Sequence, residues 1–245
     1  MIDAGLTALA RAQLAPTGVL RSAINLGNFL LVTGRGPAGE PQGVAPDMAA
    51  EVARQLGVAI QYVPFTRPNA LADAADGSVW DIGLIGAEPA RAARIVFTDA
   101  YAEIEATYLA PPGSKLAAIA DVDRPGVRVA VLGGAAYDLW LERNLQHATL
   151  VRATSADDAA RLVDDGAADV LAGLRSGLVA DADRRPGARI LDGHFTTVQQ
   201  AIGTRRKNAD AARFLQAFVD EAKASGLVAA LIERHGVAGQ LSVAR

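Results

Sequence analysis

The order strand–helix–strand–helix–strand occurs twice in this chain, and that repetition constrains its fold more than any other feature. In the first series GVLRSAINLG (18–27) reads as a buried strand ending in a glycine turn. PDMAAEVARQLG (46–57) reads as a helix: Met48, Val52 and Leu56 share a face, Asp47 sits at the positive end and Gly57 stops it. VAIQYVP (58–64) is a strand, RPNALADAADG (67–77) a short helix ended by Gly77, and DIGLIG (81–86) a third strand. The second series runs from GVRVAVLGG (126–134) through a helix with Tyr137, Leu139, Leu141 and Leu145, then the strand TLVRA. SADDAARLVDDG (155–166) follows as a helix with Ser155 as N-cap, and ADVLAG (168–173) closes the series. Each series implies parallel strands covered by helices.

Two such series imply an α/β protein of two lobes. EATYLAPPGS (105–114) is an extended crossing between them, and TTVQQAIGT (196–204) reads as a return crossing. Two further helices follow, the first with Phe214, Leu215, Phe218 and Ala222 on an apolar face. On this reading lobe 1 comprises 1–107 plus 203–245, lobe 2 comprises 108–202, and the two crossings form a hinge. A cleft facing the carboxyl ends of the strands is where such folds place ligands.

Composition removes several alternatives. A net charge of −3 gives no electrostatic footprint for nucleic acid. The absence of cysteine excludes disulfides, thiolate metal sites and a cysteine nucleophile. The opening MIDAGLTALARAQLAPTG has no basic n-region or apolar core and does not read as a secretory signal.

The order of motifs resembles a type 2 periplasmic substrate-binding protein of solute-binding family 3, the amino-acid-binding group of ABC transporters. The resemblance rests on LRSAIN, GVAPDMAAEVARQLG, DGSVWDIGLIG, EPARAARIVFTDAY, VRVAVLGGAAYDLWL, DDGAADVLAG and ASGLVAALIERHG, from about residue 18 to 236. Read from residues alone, Arg91 is a solvated or ion-paired charge. The resemblance places it on the arginine that grips the ligand's carboxylate, because Arg91 stands six residues before Phe97; a guanidinium offers two parallel donors and keeps its charge when desolvated. Arg94 has no such counterpart and reads as a surface charge. Gly86 falls where backbone helps hold that carboxylate. Gly133-Gly134-Ala135-Ala136 opens a helix, either as a simple tight turn or as free amides for an anion.

The sequence also departs from the family. Ala135 and Ala136 replace the usual hydroxyl pair. Leu174, followed by Arg175, occupies the position of the carboxylate that holds a ligand's ammonium group. An ammonium without an anionic partner is costly in a desolvated site, so a small carboxylate or other organic anion is expected, and Arg175 is either a second clamp or a solvated charge. Asn25 and Asn28 either contact ligand or close Asx-turns. Phe29, Trp80 and Tyr101 line the cleft or belong to the core, and Gln199 and Gln200 lie near the hinge.

The expected function is a periplasmic solute-binding protein that delivers its ligand to an ABC permease, acting as a monomer without cofactor or metal. The alternatives are an enzyme resembling cyclohexadienyl dehydratases and a cytoplasmic ligand sensor. The first would need an acid or base, but His147, His194 and His235 are scattered, and Glu88 and Glu105 are expected to face solvent.

Overall fold

The computed structural model describes residues 2–245. In chain order the first helix is α1 (Ala4–Leu14), capped by Asp3, whose carboxylate accepts from the Leu6 amide. Then come β1 (Val19–Asn25), a hairpin of β2 (Gly34–Arg35) and β3 (Pro41–Gln42), α2 (Val44–Leu56) and β4 (Ala59–Phe65). Next are α3 (Pro68–Asp73), β5 (Ile82–Gly86), α4 (Pro89–Ala92), β6 (Ile95–Phe97) and β7 (Ala102–Ala110). The second series holds β8 (Arg128–Leu132), α5 (Ala136–Asn144), β9 (Thr149–Ala153), α6 (Ala156–Asp164), β10 (Val170–Leu174), α7 (Arg175–Asp183) and β11 (Arg189–Ile190). β12 (Thr196–Arg205), α8 (Ala209–Ala224), α9 (Leu227–Arg234) and β13 (Ser242–Val243) complete the chain.

The chain divides into two compact units, one of residues 1–103 and 199–245, the other of residues 104–198. In the first, β1 lies between β4 and β5 and runs parallel to both, while β12 is antiparallel to β5 and carries β6 on it. In the second, β8 lies between β9 and β10, parallel to both, and β7 is antiparallel to β10. The plan is therefore the same: three parallel strands with the first in the middle, plus an antiparallel crossing strand.

Both units fasten that plan with the same device. In the first, the Arg21 amide and Nε each donate to Asp81 Oδ2 at 2.9 Å, Nη2 donates to Oδ1 at 2.7 Å, and the Asp81 amide returns a bond to the Arg21 carbonyl. In the second, the Arg128 amide and Nε donate to Asp169 Oδ2 at 2.8 and 3.1 Å, Nη2 to Oδ1 at 2.8 Å, and the Asp169 amide to the Arg128 carbonyl. An aspartate just before the third strand thus pins the start of the first strand through a bidentate guanidinium.

Local signals explain most boundaries. α2 buries Met48, Val52 and Leu56 and ends at Gly57, which takes the left-handed conformation (φ 65°) that a C-terminal glycine tolerates. Ser155 caps α6 through the Asp158 amide. The stop expected at Gly77 falls one residue later: Ser78 takes the left-handed φ of 52°, held by Arg21 Nη1 on its carbonyl and Arg205 Nη1 on its hydroxyl. α8 buries Phe214, Leu215, Phe218 and Ala222, and the Gln13 side chain of α1 bonds Asp210 and the Ala211 amide at its start. Trp80 and Tyr101 are fully enclosed in the first unit and belong to its core, Trp80 donating to the Leu71 carbonyl.

Candidate ligand-binding site

The carboxyl edge of the first unit's sheet gathers most of the residues singled out in the sequence. β1 and β5 run parallel with Ile24 opposite Leu84, so Asn25 and Gly86 emerge at the same edge. On the other side of β5, Gln200 pairs with Gly86, and the Ala87 amide donates to the Gln199 carbonyl at 2.7 Å.

From Gly86 the chain passes through Glu88 into the single turn of α4, where the Arg91 and Ala92 amides donate to the Glu88 carbonyl. That turn swings Arg91 back over the strand end. Its Nη1 donates to the Gly86 carbonyl at 2.6 Å, and the residue is 5% exposed. Burial pushes the guanidinium well down from its ordinary value, to about 10, opposed by the negative charges of Glu88 and Asp73. It remains a cation at neutral pH. Gly86 therefore orients the arginine through its carbonyl. Arg94, by contrast, is an exposed charge beside Asp73 and Asp76.

The loop after β1 contains two Asx-turns. Asn25 Oδ1 accepts from the Gly27 amide at 3.1 Å and Asn28 Oδ1 from the Leu30 amide at 3.2 Å. Neither side-chain NH2 has a hydrogen-bond partner among the described residues. The turns hold the oxygens and leave the donors available. Phe29, between them and Leu30, is half exposed.

At the carboxyl edge of the second unit's sheet, three of the four amides of the glycine turn are already engaged. The Gly133 amide donates to the Ala153 carbonyl, that of Ala135 to Leu132, and that of Gly134 to Asp138 Oδ2 at 2.8 Å. Asp138, one turn into α5, folds back because its buried carboxylate needs donors; it also takes Arg152 Nε at 2.9 Å. Gly134 has φ 78°, which glycine adopts without strain. Ala135 and Ala136 are buried at the start of α5.

Leu174 ends β10 opposite Ala106 of β7, which sets Arg175 beside Glu105. Arg175 Nε donates to Glu105 Oε2 at 2.5 Å, and its Nη2 donates to the Gly193 carbonyl. His194 Nδ1 lies 3.4 Å from the other Glu105 oxygen. Arg175 is thus ion-paired while its side chain stays about one-third exposed, and Glu105, expected to face solvent, is half exposed. The sequence also placed Glu88 in solvent, yet it is 9% exposed. The usable signal was its place in a Glu-Pro-x-Arg turn, where the resembled family has threonine.

A family model for bacterial extracellular solute-binding proteins, family 3, matches residues 32–238, and the chain belongs to that family. Its fold is the two-lobed periplasmic-binding-protein architecture of solved structures. A mutant of ArgBP from T. maritima is 22% identical, with TM-score 0.73, covering 93% of this chain and 99% of that one. The putative binding component of an ABC transporter from Wolinella succinogenes, complexed with lysine, is 22% identical, with TM-score 0.72 and coverage of 89% and 95%. An ancestral amino acid-binding protein, a precursor of cyclohexadienyl dehydratase, is 20% identical, with TM-score 0.72 and coverage of 92% and 97%. No curated protein matches the sequence. Among the described residues, no helix is long and apolar enough to cross a membrane.

Proposed function

We propose that this solute-binding protein captures a small carboxylate-bearing ligand through Arg91 and hands it to an ABC permease from the periplasm, working as a monomer. The observation that supports this reading is a desolvated guanidinium held on the strand end at Gly86, at the sheet edge from which the loop with two asparagines carrying unengaged NH2 donors also leaves. A carboxylate arriving there meets a cation whose charge is only weakly screened and gains charge-assisted hydrogen bonds. Asn25 and Asn28 suit further acceptors on the ligand, and half-exposed Phe29 suits its apolar part. The arginine-bound and lysine-bound states of solved neighbours agree in ligand chemistry, since both molecules carry a carboxylate.

Calorimetric titration of small carboxylates into the wild type, Arg91→Ala and Arg91→Lys tests the proposal. Arg91→Ala should weaken binding by about 100-fold, as expected for loss of a desolvated bidentate clamp. Unchanged affinity would remove Arg91 from the site. Mass spectrometry of the small molecule that co-purifies with the chain would name the ligand.

A further inference from the structure

We infer that the second unit carries a separate small-molecule site at the amino edge of its sheet, which takes an organic anion with a flat apolar body, an aromatic carboxylate.

A cavity of about 820 Å³ opens there, within the size range of small-molecule sites. Three segments of this unit form its wall. Residues 111–116 leave β7, residues 125–127 lead into β8, and the stretch from Val163 to Asp169 joins α6 to β10. β8 and β10 run parallel, so Val127 and Asp169 stand at the amino ends of their strands and Leu132 and Leu174 at the carboxyl ends. The cavity therefore lies at the other end of this sheet from the glycine turn and Arg175.

The wall is set in advance of any ligand. Arg189 Nη2 donates to the Ser114 and Leu116 carbonyls at 3.1 and 2.6 Å, and Ser114 Oγ accepts from the Leu116 amide at 3.2 Å, so the first segment is tied down. Pro111, Pro112 and Pro125 offer apolar faces with no side-chain freedom to lose on binding. Such preorganisation lowers the cost of capturing a small ligand.

The charges on the wall select its sign. Arg185 Nε and Nη2 each donate to one carboxylate oxygen of Asp164 at 2.7 Å, and Asp169 is held in the Arg128 clasp. Both wall carboxylates are thereby neutralised. The Lys115 ammonium has no partner among the described residues, and neither do the amides of Gly113, Lys115 and Gly126. An unpaired cation and spare donors beside rigid proline faces suit an anion joined to an apolar ring.

Amide chemical shifts of the isotope-labelled protein test this while benzoate, benzamide and benzylamine are each added to about 10 mM. Benzoate should move the Gly113, Lys115, Gly126 and Gly166 signals along a saturating curve, and the neutral and cationic analogues should move them far less. Lys115→Ala should weaken benzoate by about fivefold and Lys115→Glu by about tenfold, the scale of a partly screened charge. Arg91→Ala should leave the midpoint at these signals unchanged, which separates this cavity from the site proposed above. Thermal melts check that all three variants fold. Benzoate shifts that do not saturate, that keep their midpoint in Lys115→Glu, or that vanish in Arg91→Ala would overturn the inference. Benzylamine binding more tightly than benzoate would overturn it too, since Asp164 and Asp169 would then be the groups that recognise the ligand.

Discussion

The two units of this protein share a strand plan and an Arg–Asp clasp, but they spend their polar groups differently at the carboxyl edge of the sheet. In the first, Arg91 is drawn into a desolvated position and the asparagine loop keeps its NH2 donors unengaged. In the second, the turn after the first strand is closed by its own Asp138, and the arginine after the third strand is held by Glu105. One scaffold thus supports two chemistries: an edge with donors in reserve, and an edge that satisfies itself. The clasps differ too. The Asp81 side chain is 4% exposed and takes Arg205 as a second arginine, whereas that of Asp169 is 38% exposed. Equal topology does not imply equal energetics, because desolvation sets how much a charge pair matters.

The comparison can be broken at its strongest point first. Asp81→Ala strands two arginines around a buried site and should cost about 3 to 4 kcal/mol of unfolding free energy, measured by urea titration; a loss no larger than that of Asp169→Ala would show that burial does not separate the two clasps. Asp138→Ala should cost about 2 kcal/mol, since the Gly134 amide and Arg152 both lose their buried acceptor. Hydrogen exchange should place that damage around residues 133–141, and damage spread evenly over the chain would contradict the self-capping turn.

Asp169→Ala should cost only about 1 kcal/mol, because its half-wet position screens the pair. This clasp also titrates. The Arg128 side chain, helped by its amide, holds the Asp169 carboxyl below its ordinary 3.8. A depressed folded value means that the stabilisation is complete above about pH 4 and is lost as pH falls through the folded value. Urea midpoints of the wild type and Asp169→Ala should therefore converge only at the acid end, and a gap that persists at pH 2 would show that ionisation is not its source. The smallest effect belongs to Arg175→Ala, which should leave carboxylate affinity within about twofold of wild type, because that guanidinium already has a carboxylate partner. A loss comparable to that of Arg91→Ala would erase the contrast between the edges.

Much of the strand–helix order could be read from the chain because the signals are local. Gly57 and Ser155 mark helix ends within a few residues, and the apolar spacing of α2 and α8 survives without tertiary context. α1 and α7 escaped that reading. α1 buries only Ala10 and Leu14 among its residues, too few for a clear period, and α7 follows β10 directly and buries Leu178 alone. At the site, the position of Arg91 was legible only because its spacing from Phe97 matched a known pattern. The enclosure of Glu88 was not, nor was Asp138 folding back on Gly134.

The sequence by itself determined the order of elements, the doubled plan and the family, since periodicity, caps and motif spacing act over a few residues at a time. The tertiary structure decided which charges are paired and which are held from water. Arg175 and Glu105 stand 70 positions apart, and the energy of such a pair depends on where both groups finish and on the water they lose together.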